Sequence, residues 1–301
     1  MKEDFSNSLL SEAELLKLSE KSDMRGFLKL AQHFGALIVT GFGLLVIENS
    51  MLFCALFAFH GLLLAFLFCP LHEATHLSAF KTKKYNDLTA TVCGFLTANS
   101  RYFYKYFHFA HHRYTQDPAK DPELAISKPE TIFEYAIWIS GWYYWKGKLG
   151  TMISFAISGT AKESYIPKNK EKIIIRECRY TVIGYVLIVA IFSVISPLLL
   201  ITLWVGPIII GQVFLRLYLL AEHHNCNNGP GMLEKVRTIK AGNFVNWLAW
   251  NMPFHTEHHL FPSVPFHALP KVHLRVHQSL KNVGSSHVAF NLGYVKSLPL
   301  F

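Results

Sequence analysis

Three short histidine-rich motifs in this 301-residue chain have the residue types and spacing to bind metal. The three boxes are His72-Glu-Ala-Thr-His76, His108-Phe-Ala-His111-His112 and His255-Thr-Glu-His258-His259. Residues three and four positions apart share one face of a helix, so each box presents two or three imidazoles together. Neutral imidazole suits iron, zinc and copper. Eight imidazoles are too many for one ion and about right for two, so the boxes predict a two-metal centre.

The first box, taken alone, has two other interpretations. Its sequence matches the HExxH motif of zinc proteases, in which two histidines bind zinc and the glutamate acts as general base. A single pair of histidines at this spacing is also common in ordinary helical cores. Both interpretations are weakened by the other six clustered histidines, which neither of them explains.

The composition predicts that a membrane protein carries these boxes. Hydrophobic residues make up 51% of the chain and charged residues only 16%, against about 25% charged residues in a typical soluble domain. This excludes a disordered chain, a coiled coil and a nucleic-acid-binding tail. The net charge of +9 indicates contact with anionic membrane lipid and no nucleic-acid partner. Five cysteines without regular spacing predict neither a disulfide framework nor a thiolate zinc site.

Four apolar runs are long enough, or nearly so, to cross a hydrocarbon core that needs about 20 residues. They form two pairs, at about residues 27–71 and 180–221, and each pair is interrupted by only a few polar or turn-forming residues. Such short breaks predict two tight hairpins. Pro207 is expected to kink the last helix because proline cannot donate a backbone hydrogen bond.

The positions of lysine and arginine predict the orientation of the chain. Residues 30–76 and 180–215 contain neither, so the two hairpin tips carry no positive charge. By the positive-inside rule the remaining segments face the cytoplasm, as a helical cap or as interfacial helices. The sequence thus predicts one all-α integral membrane domain, 1–301, whose cytoplasmic or interfacial parts are 1–26, 72–179 and 222–301.

The predicted topology brings a ninth imidazole to the boxes. His72 and His76 follow the second apolar run, and the fourth run ends at Glu222-His223-His224 on the same side of the membrane. A lone histidine at a helix end is usually a surface or capping residue. Beside three boxes it becomes a ligand candidate, and we prefer His223 to His224.

Other polar residues are expected to support the site or to have no part in it. His60, in the middle of the second run, is expected to be neutral and hydrogen-bonded to a neighbouring helix. His273, in a basic segment after the third box, is expected to lie at the surface or the membrane interface rather than to bind metal. Five carboxylates are expected to accept the second ring N–H of ligating histidines and so orient them: Glu73, Asp117, Asp121, Glu222 and Glu257.

The boxes, their order and their place after paired apolar runs resemble the membrane fatty acid desaturase and hydroxylase superfamily. The likeness runs from about Phe34 to Leu274 and includes the residues that flank the second and third boxes. It implies a histidine-ligated di-iron centre on a four-helix transmembrane stem. It also implies that iron is bound by His72, His76, His108, His111, His112, His255, His258 and His259, with His223 as the ninth ligand.

The resemblance implies an enzyme that uses O₂ to insert a double bond into an acyl chain. The sequence has no cytochrome b5 motif and no glycine-rich flavin or nicotinamide motif, so a separate ferredoxin or cytochrome b5 is the expected electron donor. Complementary charge would dock an acidic donor on exposed lysines. The alternative is that these lysines lie among anionic headgroups, and for residues 168–172 the two interpretations have equal weight. The candidates are Lys81, Lys83, Lys84, Lys168, Lys170 and Lys172.

Where the boxes differ from known patterns, they indicate which subgroup of the superfamily the chain resembles. The third box opens with His255 rather than glutamine, which argues against the front-end desaturases. The first two boxes look nearer the bacterial acyl-lipid group, which favours a bacterial inner membrane over the endoplasmic reticulum. The boxes of this group are similar to those of hydroxylases and ketolases that act on carotenoids. The alternative to a desaturase is therefore a hydroxylase or ketolase with a carotenoid, sterol or alkyl substrate.

A different class of protein is a non-catalytic metal transporter or haem carrier. A transporter needs polar residues inside the bilayer, where only His60 qualifies. Haem needs two facing histidines for each ring rather than groups of three. Both features favour the enzyme.

Overall fold

The computed structural model describes residues 9–226 and 229–300, which are mostly α-helical. Four helices are long and apolar enough to cross a membrane, and we call them the first to fourth spans: Asp23–Val46, Ser50–Thr75, Lys168–Ile195 and Pro197–His223. Their apolar parts agree with the four predicted runs. The third span begins earlier than predicted, because a polar helical segment precedes its apolar part.

The remaining elements surround these spans. Most of the chain between the second and third spans is helical, and shorter helices separated by loops follow the fourth span. The helices outside the spans are Glu12–Leu18, Lys83–Leu96, Arg101–Tyr114, Ile132–Ile139, Trp142–Ser158, Met232–Lys235, Asn243–Leu248, His255–Leu260, Leu269–Val276 and His287–Ser297. Within the described residues, the strands are one short parallel pair, Thr238–Ile239 and Val283–Gly284. The small amount of strand agrees with the predicted all-α fold.

The fourth span is irregular near its start. It consists of Pro197–Leu200, a π-helical turn at Ile201–Val205 and a regular helix over Gly206–His223. Pro207 lies just after the π-helical turn. Because proline has no N–H, the carbonyl of Leu203, four residues earlier, loses its usual helical donor.

His60 of the second span supplies a donor to that carbonyl. Its Nε2 lies 3.0 Å from the carbonyl oxygen of Leu203. Its Nδ1 lies 2.7 Å from Oγ1 of Thr40 in the first span. With Nε2 protonated, Nδ1 accepts a hydrogen bond from the threonine, so one imidazole links three spans. The predicted hydrogen bonds of His60 to neighbouring helices are therefore confirmed.

We expect His60→Leu to destabilise the protein by about 1–3 kcal/mol, because it leaves a buried carbonyl without a donor. Thermal unfolding of the purified protein in detergent measures the loss. The double variant His60→Leu, Pro207→Ala is the matched control, since alanine restores a backbone N–H that can pair with Leu203. The double variant should regain part of the lost stability. Equal unfolding temperatures for the wild type and His60→Leu would show that this bond contributes nothing.

The second and fourth spans pack closely where two glycines meet. A Cβ atom on Gly61 would lie 2.1 Å from the carbonyl oxygen of Pro207, and one on Gly211 would lie 1.9 Å from that of Gly61. Any larger residue would force the backbones apart. This contact sets side by side the two spans that carry His72 and His223 near their ends.

Candidate metal centre

The helix Arg101–Tyr114 carries the second box, and the third span fixes its start. We call it the second-box helix. Ser100 caps it by accepting a hydrogen bond from the N–H of Phe103 at 3.3 Å. Glu177 of the third span accepts hydrogen bonds from Oγ of Ser100 at 2.5 Å and from the N–H of Tyr102 at 2.9 Å. These bonds set the direction in which the second box points.

A tight turn positions the helix His255–Leu260, which carries the third box and is called the third-box helix. Trp250 and Asn251 precede it in the left-handed backbone region, with φ of 53° and 60°. Asparagine tolerates this region better than most residues, whereas tryptophan does not. The Asn251 side chain donates to the carbonyl of Phe266 at 3.0 Å, and Trp250 is fully buried. All three histidines of the third-box helix are buried.

Five imidazoles form one group, the five-histidine cluster. Its ring nitrogens lie within 4.8 Å of one another and belong to His72, His76, His108, His112 and His258. Nε2 of His108 lies 2.9 Å from Nε2 of His76 and of His112. Nε2 of His258 lies 3.2 Å from Nε2 of His112. Each of the three boxes therefore contributes to this cluster.

A second group, the four-histidine cluster, adjoins the first. His111, His223 and His259 have ring nitrogens within 4.8 Å of one another. Nε2 of His255 lies 2.9 Å from Nε2 of His223, which lies 3.2 Å from Nε2 of His111. The two clusters meet where the rings of His112 and His259 stack, with their centroids 4.1 Å apart.

The structure thus brings all nine predicted ligands into two groups, and metal binding by them stays a prediction. The choice between the two histidines that end the fourth span has a geometric basis. His223 lies inside the four-histidine cluster, whereas the ring of His224 packs against Tyr294 with the centroids 4.4 Å apart.

Burial keeps most of these imidazoles neutral. It lowers the pKa of His108, His112, His258 and His259 well below the usual value, and neighbouring imidazoles lower it further. Burial likewise lowers the pKa of His76 to about 3. Neutral imidazole keeps the lone pair that a metal requires.

His111 differs because carboxylates surround its outer nitrogen. Its Nδ1 lies 3.0 Å from Oδ1 of Asp121 and 3.6 Å from Oε2 of Glu123. Burial opposes protonation, but the two carboxylates outweigh it and raise the pKa of His111. Asp121 is itself held by the backbone N–H groups of Gln116 and Glu123. A carboxylate on Nδ1 directs Nε2 toward the cluster, as in many metal-binding histidines.

The predicted carboxylate partners are only partly correct. Asp121 is confirmed as the partner of His111. Glu222 places Oε1 at 3.5 Å from Nδ1 of His255, close enough to act on its charge. The prediction was wrong for Asp117, whose side chain accepts a hydrogen bond from the backbone of Ala119.

Two further predicted carboxylates bond to residues outside the boxes. Oε1 of Glu257 lies 2.5 Å from Nδ1 of His273. His273 is partly exposed and lies outside both clusters, as expected, and it contacts the third box through this carboxylate. Oε2 of Glu73 accepts hydrogen bonds from Oγ of Ser78 at 2.7 Å and from the N–H of Phe266 at 3.2 Å. These two hydrogen bonds tie Glu73 to residues outside the boxes, so the structure shows no bond between it and a ligand candidate.

The pattern of unpaired ring nitrogens fits bound metal. Both nitrogens of His72, and Nε2 of His259, are buried with no hydrogen-bond partner among the described residues. Neutral imidazole has one N–H, so the successive Nε2 contacts cannot all be hydrogen bonds. Metal ions would take these lone pairs, and an all-imidazole set is compatible with iron as it is with zinc or copper. Rings packed this closely leave no gap for a porphyrin, which argues against a haem carrier.

A cavity of about 450 Å³ adjoins both clusters. His72 and His108 of the five-histidine cluster line it, and so do His111, His223 and His255 of the four-histidine cluster. Aromatic side chains form a large part of its other walls, and charged side chains line it as well. The aromatic residues are Phe68, Phe103, Tyr104, Phe107, Trp138, Tyr143, Tyr144, Tyr165 and Tyr218. A mostly apolar cavity with a few polar groups is the usual form of a small-molecule site.

Four apolar spans and two adjoining histidine clusters define a multi-pass membrane protein with a candidate metal centre. A sequence model of the fatty acid desaturase family matches residues 49–291. The match covers most of the chain, and the chain belongs to this family. The resemblance drawn from the boxes is therefore confirmed.

Two curated relatives also match. The chain is 25% identical to a sphingolipid delta(4)-desaturase of Drosophila melanogaster over 246 residues, which are 79% of this chain and 71% of the relative. It is 23% identical to a delta(5) fatty acid desaturase of Caenorhabditis elegans over 232 residues, 67% of this chain. That match spans 52% of the relative, about half its length. The family and these names support an oxidoreductase that acts on lipids.

Proposed function

We propose that the protein is an O₂-dependent di-iron desaturase that inserts a double bond into the acyl chain of a lipid. The observation that carries this proposal is the gathering of nine imidazoles into two clusters on the wall of an aromatic cavity. Family membership supports the reaction type. When bound, the irons would supply the power to oxidise an unactivated C–H bond with O₂.

Each cluster would hold one iron. The first iron would be held by His72, His76, His108, His112 and His258. The second would be held by His111, His223, His255 and His259. Asp121 keeps His111 in the orientation that presents Nε2. The aromatic walls would exclude water and hold the acyl chain against the ligands, and this placement decides between removal of a second hydrogen and hydroxylation.

We propose that the spans form two hairpins below a cytoplasmic cap, within the single domain 1–301, in a bacterial inner membrane. The connections support this arrangement, because three residues separate the first two spans and one residue separates the last two. The absence of lysine and arginine from residues 30–76 and 180–215 supports the orientation.

Expression in a host of defined lipid composition, followed by mass spectrometry, tests the reaction. A product with two hydrogens fewer than its parent lipid supports a desaturase. A product with one more oxygen would instead support the hydroxylase or ketolase. Metal analysis tests the centre, for which we expect two irons per chain and no haem absorption. Zinc alone, or haem, would contradict the di-iron proposal.

Two of the six predicted donor-docking lysines, Lys83 and Lys170, lie near enough to Lys105 for their charges to act on it. Burial lowers the pKa of Lys105, and the charges of Lys83 and Lys170 lower it further. These two lysines belong to the two separate groups that the sequence suggested. We propose that the surface around Lys105 receives a small acidic donor, a ferredoxin or a cytochrome b5.

The same surface adjoins the five-histidine cluster. Nζ of Lys105 lies 5.4 Å from the ring centroid of Phe109. The rings of Phe109 and His76 are also 5.4 Å apart, and 38% of Phe109 is exposed. A donor docked here would be separated from a proposed ligand by one aromatic ring.

We expect turnover at limiting donor to fall steeply with ionic strength, because charges are screened beyond about 8 Å at 0.15 M salt. Lys105→Glu and Lys170→Glu should each raise the KM for donor about tenfold and leave kcat at saturating donor unchanged. Lys83 is a poorer test because Asp87 already pairs with it at 2.5 Å.

The matched control is Lys281→Glu, at an exposed position in the C-terminal segment. It should leave the KM for donor unchanged. If turnover ignored both salt and these charge reversals, the lysines would be assigned to lipid headgroups instead.

A further inference from the structure

Two cationic side chains line the cavity without a carboxylate partner. Among the described residues, neither Lys148 nor Arg216 has an acidic group within 4.0 Å or a hydrogen bond. Nε of Arg216 is buried and unpaired. Its guanidinium group lies 4.6 Å from the ring centroid of Tyr144 and 5.9 Å from that of Trp138. These contacts leave its N–H donors unused.

Lys148 lies within a ring of aromatic side chains. Its Nζ is 5.3 Å from the ring centroid of Phe107, 5.6 Å from that of Tyr104 and 5.8 Å from that of Tyr144. Tyr144 thus contacts both cations. Burial, together with the charge of Arg216, lowers the pKa of Lys148 to about 8. A group with this pKa is still mostly charged at neutral pH.

The acidic residues that line the cavity do not pair with Lys148 or Arg216. Glu123 and Glu222 lie 3.6 Å and 3.5 Å from histidines of the four-histidine cluster. They act on Arg216 only over a longer distance. Glu163 also lines the cavity but is exposed to solvent. Lys128 adds a third cation, 5.4 Å from the ring of Trp138. Within the described part of the chain, Lys148 and Arg216 therefore lie in the aromatic region of the cavity without a carboxylate paired to either of them.

We infer that Lys148 and Arg216 bind an oxyanion headgroup of the acyl substrate, either a carboxylate or a phosphate. The inference rests on the proposed function, since it is that function which places an acyl lipid in the cavity. The planar guanidinium of arginine matches both oxyanions through paired hydrogen bonds, and lysine adds a point charge. Aromatic walls beside the headgroup suit the first methylenes of the chain.

The two cations lie at fixed separations from the clusters. Arg216 and His223 are seven residues apart on the fourth span, so they share a face about 10 Å apart along the helix. On the other side, the ring of Tyr104 lies between Nζ of Lys148 and His108, with which it stacks at 5.3 Å. A headgroup bound to both cations would fix the position of attack as counted from the headgroup.

Binding of bromine-labelled palmitic acid to the purified iron-loaded protein tests the inference, with quenching of tryptophan fluorescence as the readout, since Trp138 lines the cavity. The methyl ester of the same acid lacks the charge. We expect the acid to bind at least about tenfold more tightly than the ester. Lys148→Met and Arg216→Met should each weaken binding of the acid about tenfold and leave binding of the ester unchanged.

Lys146→Met is the matched control, because Lys146 is exposed on the same helix, Trp142–Ser158, and does not line the cavity. It should bind the acid like the wild type. If Arg216→Met does not fold, Lys148→Met decides the result alone. Equal binding of acid and ester, with no effect of Lys148→Met, would overturn the inference.

Two further experiments identify the headgroup and test whether its binding sets the position of the double bond. Dodecyl phosphate and dodecanoic acid compete with the labelled acid, and the stronger competitor shows whether the site prefers phosphate or carboxylate. Palmitic and stearic chains should receive the double bond at the same position counted from the headgroup, and a position fixed from the methyl end would oppose the inference. Selective acid binding without any unsaturated product would contradict the proposed function but leave the oxyanion site intact.

Discussion

Replacing His108, His112 or His258 with alanine is expected to abolish turnover and to lower the iron content of the protein. Each of these imidazoles places Nε2 within 3.2 Å of another Nε2 in the five-histidine cluster. Loss of one imidazole would leave the proposed iron with one ligand fewer and would weaken its binding. Because substitution of residues that merely support ligands already costs about 10–100-fold, we expect at least about 100-fold lower turnover here.

These variants should still insert into the membrane, because the apolar spans lie outside the second and third boxes. Iron per chain, the membrane fraction and turnover are measured together, so that misfolding is distinguished from ligand loss. His277→Ala is the control, since His277 is exposed and lies outside both clusters. It should keep both iron and activity. A box variant with wild-type iron and turnover would remove that residue from the ligand set.

The sequence predicts the spans and the grouping of histidines because both depend on local spacing. A span needs only a long apolar run, and a box needs only the helical repeat. The sequence does not predict the π-helical turn, because the turn depends on more than local spacing. Pro207 indicates an irregular helix, but the donor that replaces its missing N–H comes from His60 on another span. Such a pairing is set by tertiary packing.

The carboxylates show where local reasoning ends. Asp121 follows the second box closely and reaches His111 through a short loop. Glu73 lies within the first box, yet its carboxylate accepts a hydrogen bond from the backbone N–H of Phe266, which is far along the chain. Sequence proximity therefore selects candidates but not partners. Glu123, which the sequence analysis missed, had only its position two residues after Asp121 as a signal.

The cavity was not predictable for a similar reason. The sequence predicts only that residues 72–179, which include the helix Trp142–Ser158, are cytoplasmic or interfacial. It gives Arg216 no role. The structure places Lys148 and Arg216 in one cavity with Tyr104. Composition describes what a helix contains, whereas the face that it buries depends on its neighbours.

His223→Ala is expected to remove one of the two proposed irons and to leave the other bound. His223 is the centre of the four-histidine cluster, since its Nε2 lies 2.9 Å from Nε2 of His255 and 3.2 Å from Nε2 of His111. Its Nδ1 faces the carbonyl oxygen of Lys235 at 3.3 Å, which favours a proton on Nδ1 and leaves Nε2 for metal. The five-histidine cluster stays complete, so iron should fall from two per chain toward one and turnover should be lost.

His224→Ala changes the adjacent residue and is the matched control. The ring of His224 packs on Tyr294 rather than on either cluster, so its loss should leave iron content and turnover near the wild-type values. Iron per chain discriminates better than activity, because a general disturbance of the end of the fourth span would affect both variants alike. Loss of iron in His224→Ala alone would make it the ninth ligand. Equal loss in both variants would indicate that the helix end, and not one imidazole, holds the second iron.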